Sequence, residues 1–147
     1  MCMDVRKKCE CGRHLIQFHL RDNILIPEVI INLYCPKCHG PENFDSLTML
    51  NDNNWIIEYD MVMAKMMVVQ KLMVDMEAVT PEFIFDRGYA CWQEMYPGEH
   101  AEIKKERDAI IKLAKTDQKK YLETIQKWNI ERINQLKAQG WRKVLRA

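Results

Sequence analysis

The hydrophobic rhythm of the chain changes near residue 60. Before that point, Leu15 to Leu20 and Val29 to Tyr34 are short runs rich in apolar and β-branched residues, of strand length. Arg21-Asp22-Asn23 reads as a turn between them and Pro27 as a break. Asn51-Asp52-Asn53-Asn54 is a second turn signal, and Trp55 to Tyr59 follows it as a third short strand. After Asp60, which suits a helix N-cap, the spacing becomes helical. Met61 to Met76 is apolar on nearly all sides of its first turns, and Thr80-Pro81-Glu82 opens a further helix with a cap and a proline at its first position.

Gly88 and Pro97-Gly98 bracket Tyr89 to Tyr96, an aromatic segment expected to be packed. From Glu99 onward nearly every residue is a strong helix former. Ile103, Ile110, Ile111 and Ala114, with Leu113 at the edge, make one apolar stripe, and Tyr121, Leu122, Ile125, Trp128, Ile133 and Leu136 make another. Thr116-Asp117 marks a break between them, and Gly140 is a stop signal that leaves Trp141 to Arg146 as a tail. The pattern predicts an α+β chain: a β region over 1–59, then a helical region over 60–147 with a basic C-terminal helix and tail.

Six methionines, Met61, Met63, Met66, Met67, Met73 and Met76, fall within the first helical segment. A helix apolar on most sides is usually buried, so a core role is the simpler reading. An adaptable methionine surface for a partner is the alternative, and both hold if another subunit covers part of the helix.

Chemistry concentrates in four cysteines, paired as Cys9-Glu10-Cys11-Gly12 and Cys35-Pro36-Lys37-Cys38-His39-Gly40. Close pairs supply two thiolates each at little cost in chain entropy, and two pairs complete a tetrahedral shell. A glycine after each pair lets the turn take positive φ, which aims backbone N–H groups at the sulfurs. The separation between the pairs is about the length of one β-hairpin. Over residues 5–40 this pattern resembles a zinc ribbon, with a one-residue spacer in the first knuckle. That resemblance implies one zinc on Cys9, Cys11, Cys35 and Cys38, and it implies a site rather than an activity.

Rival readings of the cysteines are weaker. Cys35-Pro36-Lys37-Cys38-His39 is also a haem-attachment string, but Met1 to Lys8 has no apolar export signal, which also argues against a disulfide framework. Iron is the serious rival, as a single rubredoxin-type ion or a [2Fe–2S] cluster, since both accept four thiolates. His14 could complete a Cys11-Gly12-Arg13-His14 knuckle in place of Cys9, although an adjacent thiolate is the better ligand. His14 and His19 are otherwise read as ordinary strand residues.

The chain has 147 residues, 48% hydrophobic and 29% charged, with no apolar run of membrane-span length, so a globular, cytoplasmic protein is expected. Net charge is +1, which gives no global case for nucleic acid. Its distribution is uneven: net +2 over 1–38, −7 over 39–98 and +6 over 99–147. Lys7, Lys8, Arg13 and Lys37 lie near the cysteines, where they offset the charge of a tetrathiolate.

Catalytic signals are thin. Cys91 and His100 are the only nucleophile-and-base couple outside the cysteine pairs, and no third group orients them. A closed thiolate shell leaves no position for a reactive water. The expected function is therefore non-catalytic: an interaction module serving as a small accessory subunit of a larger cytoplasmic assembly. Trp141 and Leu145, four apart, and Arg142 with Arg146 are the docking candidates. Electron transfer through iron ranks second and nucleic-acid binding third.

Overall fold

The computed structural model describes residues 2–37 and 43–145. It is a mixed helix and strand architecture, and the chain divides into two compact units, Met1–Gln93 and Glu94–Ala147. The change of rhythm at residue 60 therefore marks the first helix of the first unit, with the division between units falling after Gln93.

In the first unit, β1 (Met3–Lys8), β2 (Leu15–Leu20) and β6 (Cys91–Trp92) form an antiparallel sheet in that order. A second antiparallel sheet runs β3 (Ile30–Tyr34), β5 (Trp55–Tyr59), β4 (Met49–Asp52). Strands 15–20 and 55–59 stand where the sequence predicts them, because their alternation is clean: Ile16, Phe18 and Leu20 point inward on β2, and Trp55, Ile57 and Tyr59 on β5. Val29 belongs instead to a 3-10 turn over Pro27–Val29, so β3 begins one residue later. The Asn53-Asn54 pair takes positive φ at both residues, 49° and 71°, the geometry of a tight hairpin turn joining β4 to β5.

The hairpin expected between the two cysteine pairs is not formed. β2 and β3 lie in different sheets, and β2 pairs backward with β1 and across to β6. Local turn chemistry at 21–27 separates two strands without saying what each will pair with.

The helices start on the caps the sequence offers. Asp60 accepts from the Met63 amide at 3.1 Å to open α1 (Met61–Leu72), and Thr80 accepts from Phe83 at 3.1 Å to open α2 (Pro81–Asp86). α1 stops four residues short of Met76, because Met73 turns left-handed at φ 56° and its amide closes onto the Val69 carbonyl. Its inner stripe is Met61, Ala64 and Val68, whereas Met66 and Met73 are 62% and 91% exposed and Met76 52%. Of the six clustered methionines only Met61 is buried, so the cluster is not core.

The core of this unit is aromatic. Trp92 is fully buried, with Phe18, Trp55 and Phe85 at ring-centroid distances of 5.2, 5.9 and 5.7 Å. Its indole N–H donates to buried Asp52 at 2.8 Å, which satisfies both polar groups. The Tyr59 hydroxyl donates to the Ala90 carbonyl at 2.6 Å. The packing expected of 89–96 holds over Tyr89 to Trp92, which are buried, whereas Gln93 is exposed and Tyr96 is buried in the second unit.

The second unit is a helical pair, α3 (Glu99–Leu113) and α4 (Gln118–Gln139), followed by a short α5 (Arg142–Leu145). Asp117 caps α4 by accepting from Lys120 at 3.1 Å, and Gly140 ends it at φ 86°. Glu99, buried at the start of α3, pairs with Arg132 of α4. Among the described residues, no helix is long and apolar enough to cross a membrane.

Candidate metal centre

The first cysteine pair sits at the tip of the β1–β2 hairpin. Cys9 N–H to the His14 carbonyl at 3.1 Å closes the loop, and Gly12 N–H to the Cys9 carbonyl at 2.8 Å folds it inward. Gly12 holds φ at +72°, where a side chain would be strained, and this is the turn the sequence assigns to it. Glu10 N–H donates at 2.8 Å to the carbonyl of Leu33 on β3, which binds the knuckle to the strand that ends one residue before Cys35. The two sheets thus meet at the cysteines.

Cys9, Cys11 and Cys35 converge, with all three sulfurs within 4.8 Å of one another. Cys9 Sγ lies 3.2 Å from Cys11 Sγ, and Cys11 Sγ 3.4 Å from Cys35 Sγ. An ion with sulfurs at about 2.3 Å in tetrahedral array sets sulfur–sulfur edges of about 3.8 Å, so a small outward adjustment of this cluster accepts one ion. Cys9 and Cys35 are buried and Cys11 is exposed, giving the site two fixed walls and one open side. Neither Cys9, Cys11 nor Cys35 is in a disulfide. Cys38, the expected fourth ligand, lies outside the described residues.

The cluster favours thiolate. Burial pushes the Cys9 thiol up, but hydrogen bonds from Cys11, the backbone at His14, Cys35 and the backbone at Arg13 outweigh it and bring the thiol from 9.0 to about 7. The His14 amide contributes directly, at 3.4 Å from Cys9 Sγ.

The histidines stand apart. The His14 side chain is exposed and packs edge-on against Trp55 at 5.5 Å, and its backbone serves the site instead. His19 pairs with Asp4 across β1–β2 at 3.0 Å, a cross-strand pair on the register Asp4 opposite His19. Neither histidine joins the sulfur group among the described residues.

Cys91 is buried on β6 and its thiol donates to the Trp92 carbonyl at 3.4 Å, while His100 lies on α3 of the other unit. In the tail, Trp141 is buried and stacks on Tyr96 at 5.2 Å, and Lys143 Nζ donates to the Glu94 carbonyl at 3.1 Å. The tail thus folds onto its own unit. Trp141 and Leu145 do not share an exposed face, because Leu145 is 58% exposed and Trp141 9%. Arg142 is half-buried, and Arg146 lies outside the described residues.

Sequence reasoning missed the clasp between Glu10 and Leu33 and the seat of His14 on Trp55. Both depend on strand pairing over long sequence distances, and the clasp is purely backbone, so no residue type announces either. Comparison with protein-family models, with curated proteins and with solved structures finds no match.

Proposed function

We propose that the chain is a non-catalytic, metal-stabilised interaction module, its first unit a zinc-ribbon-like knob, acting as a small accessory subunit of a larger cytoplasmic protein assembly. The observation that carries this reading is the convergence of Cys9, Cys11 and Cys35 from a hairpin tip and a separate strand end. A thiolate-only set suits zinc, and with Cys38 as fourth ligand the shell is closed, which favours a structural role over hydrolysis. The tight grouping of three sulfurs supports one ion rather than two metal centres. When bound, the metal supplies a cross-link between the sheets, while Gly12 and the His14 amide hold the first loop around it.

Docking through the tail then falls to Leu145 with the flanking basic residues Arg142 and Arg146, and Trp141 serves as the internal anchor that holds α5 in place. Affinity purification of the tagged full chain tests the reading. A co-purifying protein that is lost with both Cys35→Ser and Leu145→Glu is the expected result. Recovery of the same set of proteins with both variants would overturn it.

A further inference from the structure

Along its sequence α3 interleaves acids with bases, and the fold separates them. Glu99, Glu102 and Glu106 recur at steps of three and four, so they share one side of the helix. Each carboxylate is engaged there: Glu99 pairs with Arg132, the Tyr96 hydroxyl donates to Glu102 at 2.8 Å, and the Trp128 indole N–H donates to Glu106 at 3.0 Å. Lys104, Asp108, Lys112 and Lys115 recur at steps of four, four and three and take the other side, with Lys105 next to Lys104. All four of these lysines are exposed. The ridge continues into the turn, because α4 opens with exposed Lys119 and Lys120 and has no acidic residue in its first turn.

Helix stability does not call for this arrangement. Solvated helix faces gain from acid–base pairs four residues apart, and like charges at three or four apart are destabilising. Here the glutamates of α3 are taken up by Tyr96, Trp128 and Arg132. Among the described residues, none of the six lysine ammonium groups makes an ion pair or a hydrogen bond. Lys119 and Lys120 also stand at the end of α4 whose dipole favours anions. Residues 104–120 carry seven basic and three acidic side chains, net +4, and two of those acids are occupied, Glu106 with Trp128 and Asp117 with the α4 cap. The ridge is a concentrated positive surface, and an anion laid along it removes the repulsion.

The residue types say which anion. Lysine meets phosphate as a point charge, without the bidentate fork by which arginine reads base edges. Lysine is also depleted at protein–protein interfaces, whereas phosphate contacts use it freely. No Phe, Trp or Tyr occurs from Glu99 to Lys120, so the ridge has no platform on which unpaired bases could stack. From Lys104 to Lys115 the helix advances about 16 Å, the length of about five base pairs of duplex. We propose that the outer face of α3, with the α3–α4 turn, binds the phosphate backbone of a nucleic-acid duplex without reading its sequence. This surface uses no metal ligand and stands apart from the function proposed above.

Fluorescence anisotropy of the full, metal-loaded chain with labelled DNA and RNA duplexes of about 20 base pairs tests it. Affinity for at least one duplex should fall about 100-fold or more between about 50 and 200 mM salt, the dependence that four or more phosphate contacts produce. The variant Lys104→Gln/Lys105→Gln/Lys112→Gln/Lys115→Gln should lose most of that affinity and flatten the salt dependence with unchanged circular dichroism, since all four sites are exposed. Asp108→Asn, which removes the acid from the ridge, should tighten binding, and Lys127→Gln/Lys137→Gln, beyond the turn on α4, should change it by less than about twofold. Absence of salt-dependent binding to both duplexes, or an equal loss in the two sets of lysine variants, would overturn the proposal. So would tighter binding to a single strand, or to polyglutamate, which would assign the ridge to an acidic protein instead.

Discussion

The two units bury their apolar residues differently. In the first, Phe18, Leu20, Val29, Leu33, Leu50, Ile57, Tyr59, Ile84 and Trp92 are all nearly or fully inaccessible, drawn from β2 to β6, α2 and the 3-10 turn before β3. In the second, the long helices α3 and α4 bury only Ile110 and Leu136 among their apolar residues, while Ile111, Leu122, Ile130 and Ile133 stay exposed. Strong helix formers and clear stripes do not by themselves make a core. Short strands make one only when long-range pairing is held in place, and the cysteine cluster sits where the two sheets must be held. The helical unit instead is tied at one end, where the Glu99–Arg132 pair and the Tyr96–Trp141 stack join the start of α3 to the last part of α4 and the segment that follows.

Loss of a cysteine ligand should separate the units most sharply. A structural metal contributes on the order of 10 kcal/mol to its own domain, so Cys35→Ser should unfold the region around β1, β2 and β3. Most of the helical circular dichroism should remain, because α3 and α4 contain no ligand. Simultaneous loss of both signals would erase the distinction.

Next in size is Trp92→Ala. It removes the residue on which three rings pack and the indole donor to Asp52, at a cost of about 3–5 kcal/mol by urea denaturation. A change below about 1 kcal/mol would show that the aromatic cluster is not the keystone of the first unit.

A smaller effect belongs to the second unit. Burial, the hydrogen bond to Glu102 and the negative charge of Glu102 raise the Tyr96 phenol to about 12, with Arg132 opposing. Because its folded value lies above the unfolded one of 10.0, the stabilisation is complete below pH 10 and is lost as pH rises through 12. Thermal melts between pH 10 and 12 should therefore show a decline in the second unit that Tyr96→Phe reduces. An identical decline in the variant would contradict the assignment. Asp117→Ala, which removes the α4 cap, should cost only about 1 kcal/mol, measured by helical ellipticity on heating.

Much of this was legible in the residues. Alternation located β2 and β5, capping chemistry located the starts of α1 and α2, Thr116-Asp117 marked the break before α4, and the cysteine spacing grouped Cys9, Cys11 and Cys35. β1 was not legible, because Met3 to Lys8 is largely charged and belongs to a sheet edge, where charge is tolerated. β6 has two residues, too few to show any period, and gains its place only by pairing with β2. Exposure of the α1 methionines and burial of Trp141 were equally hidden, since composition records how apolar a side chain is and not what is left to cover it.

The central claim is that one closed-shell ion joins the two sheets through thiolates alone. Metal-edge X-ray absorption on the full chain, purified under reducing conditions, tests it most directly. The account predicts one zinc per chain with a sulfur-only shell at about 2.3 Å. Protein free of metal, a shell containing imidazole nitrogen, or short metal–metal scattering from an iron cluster would contradict it.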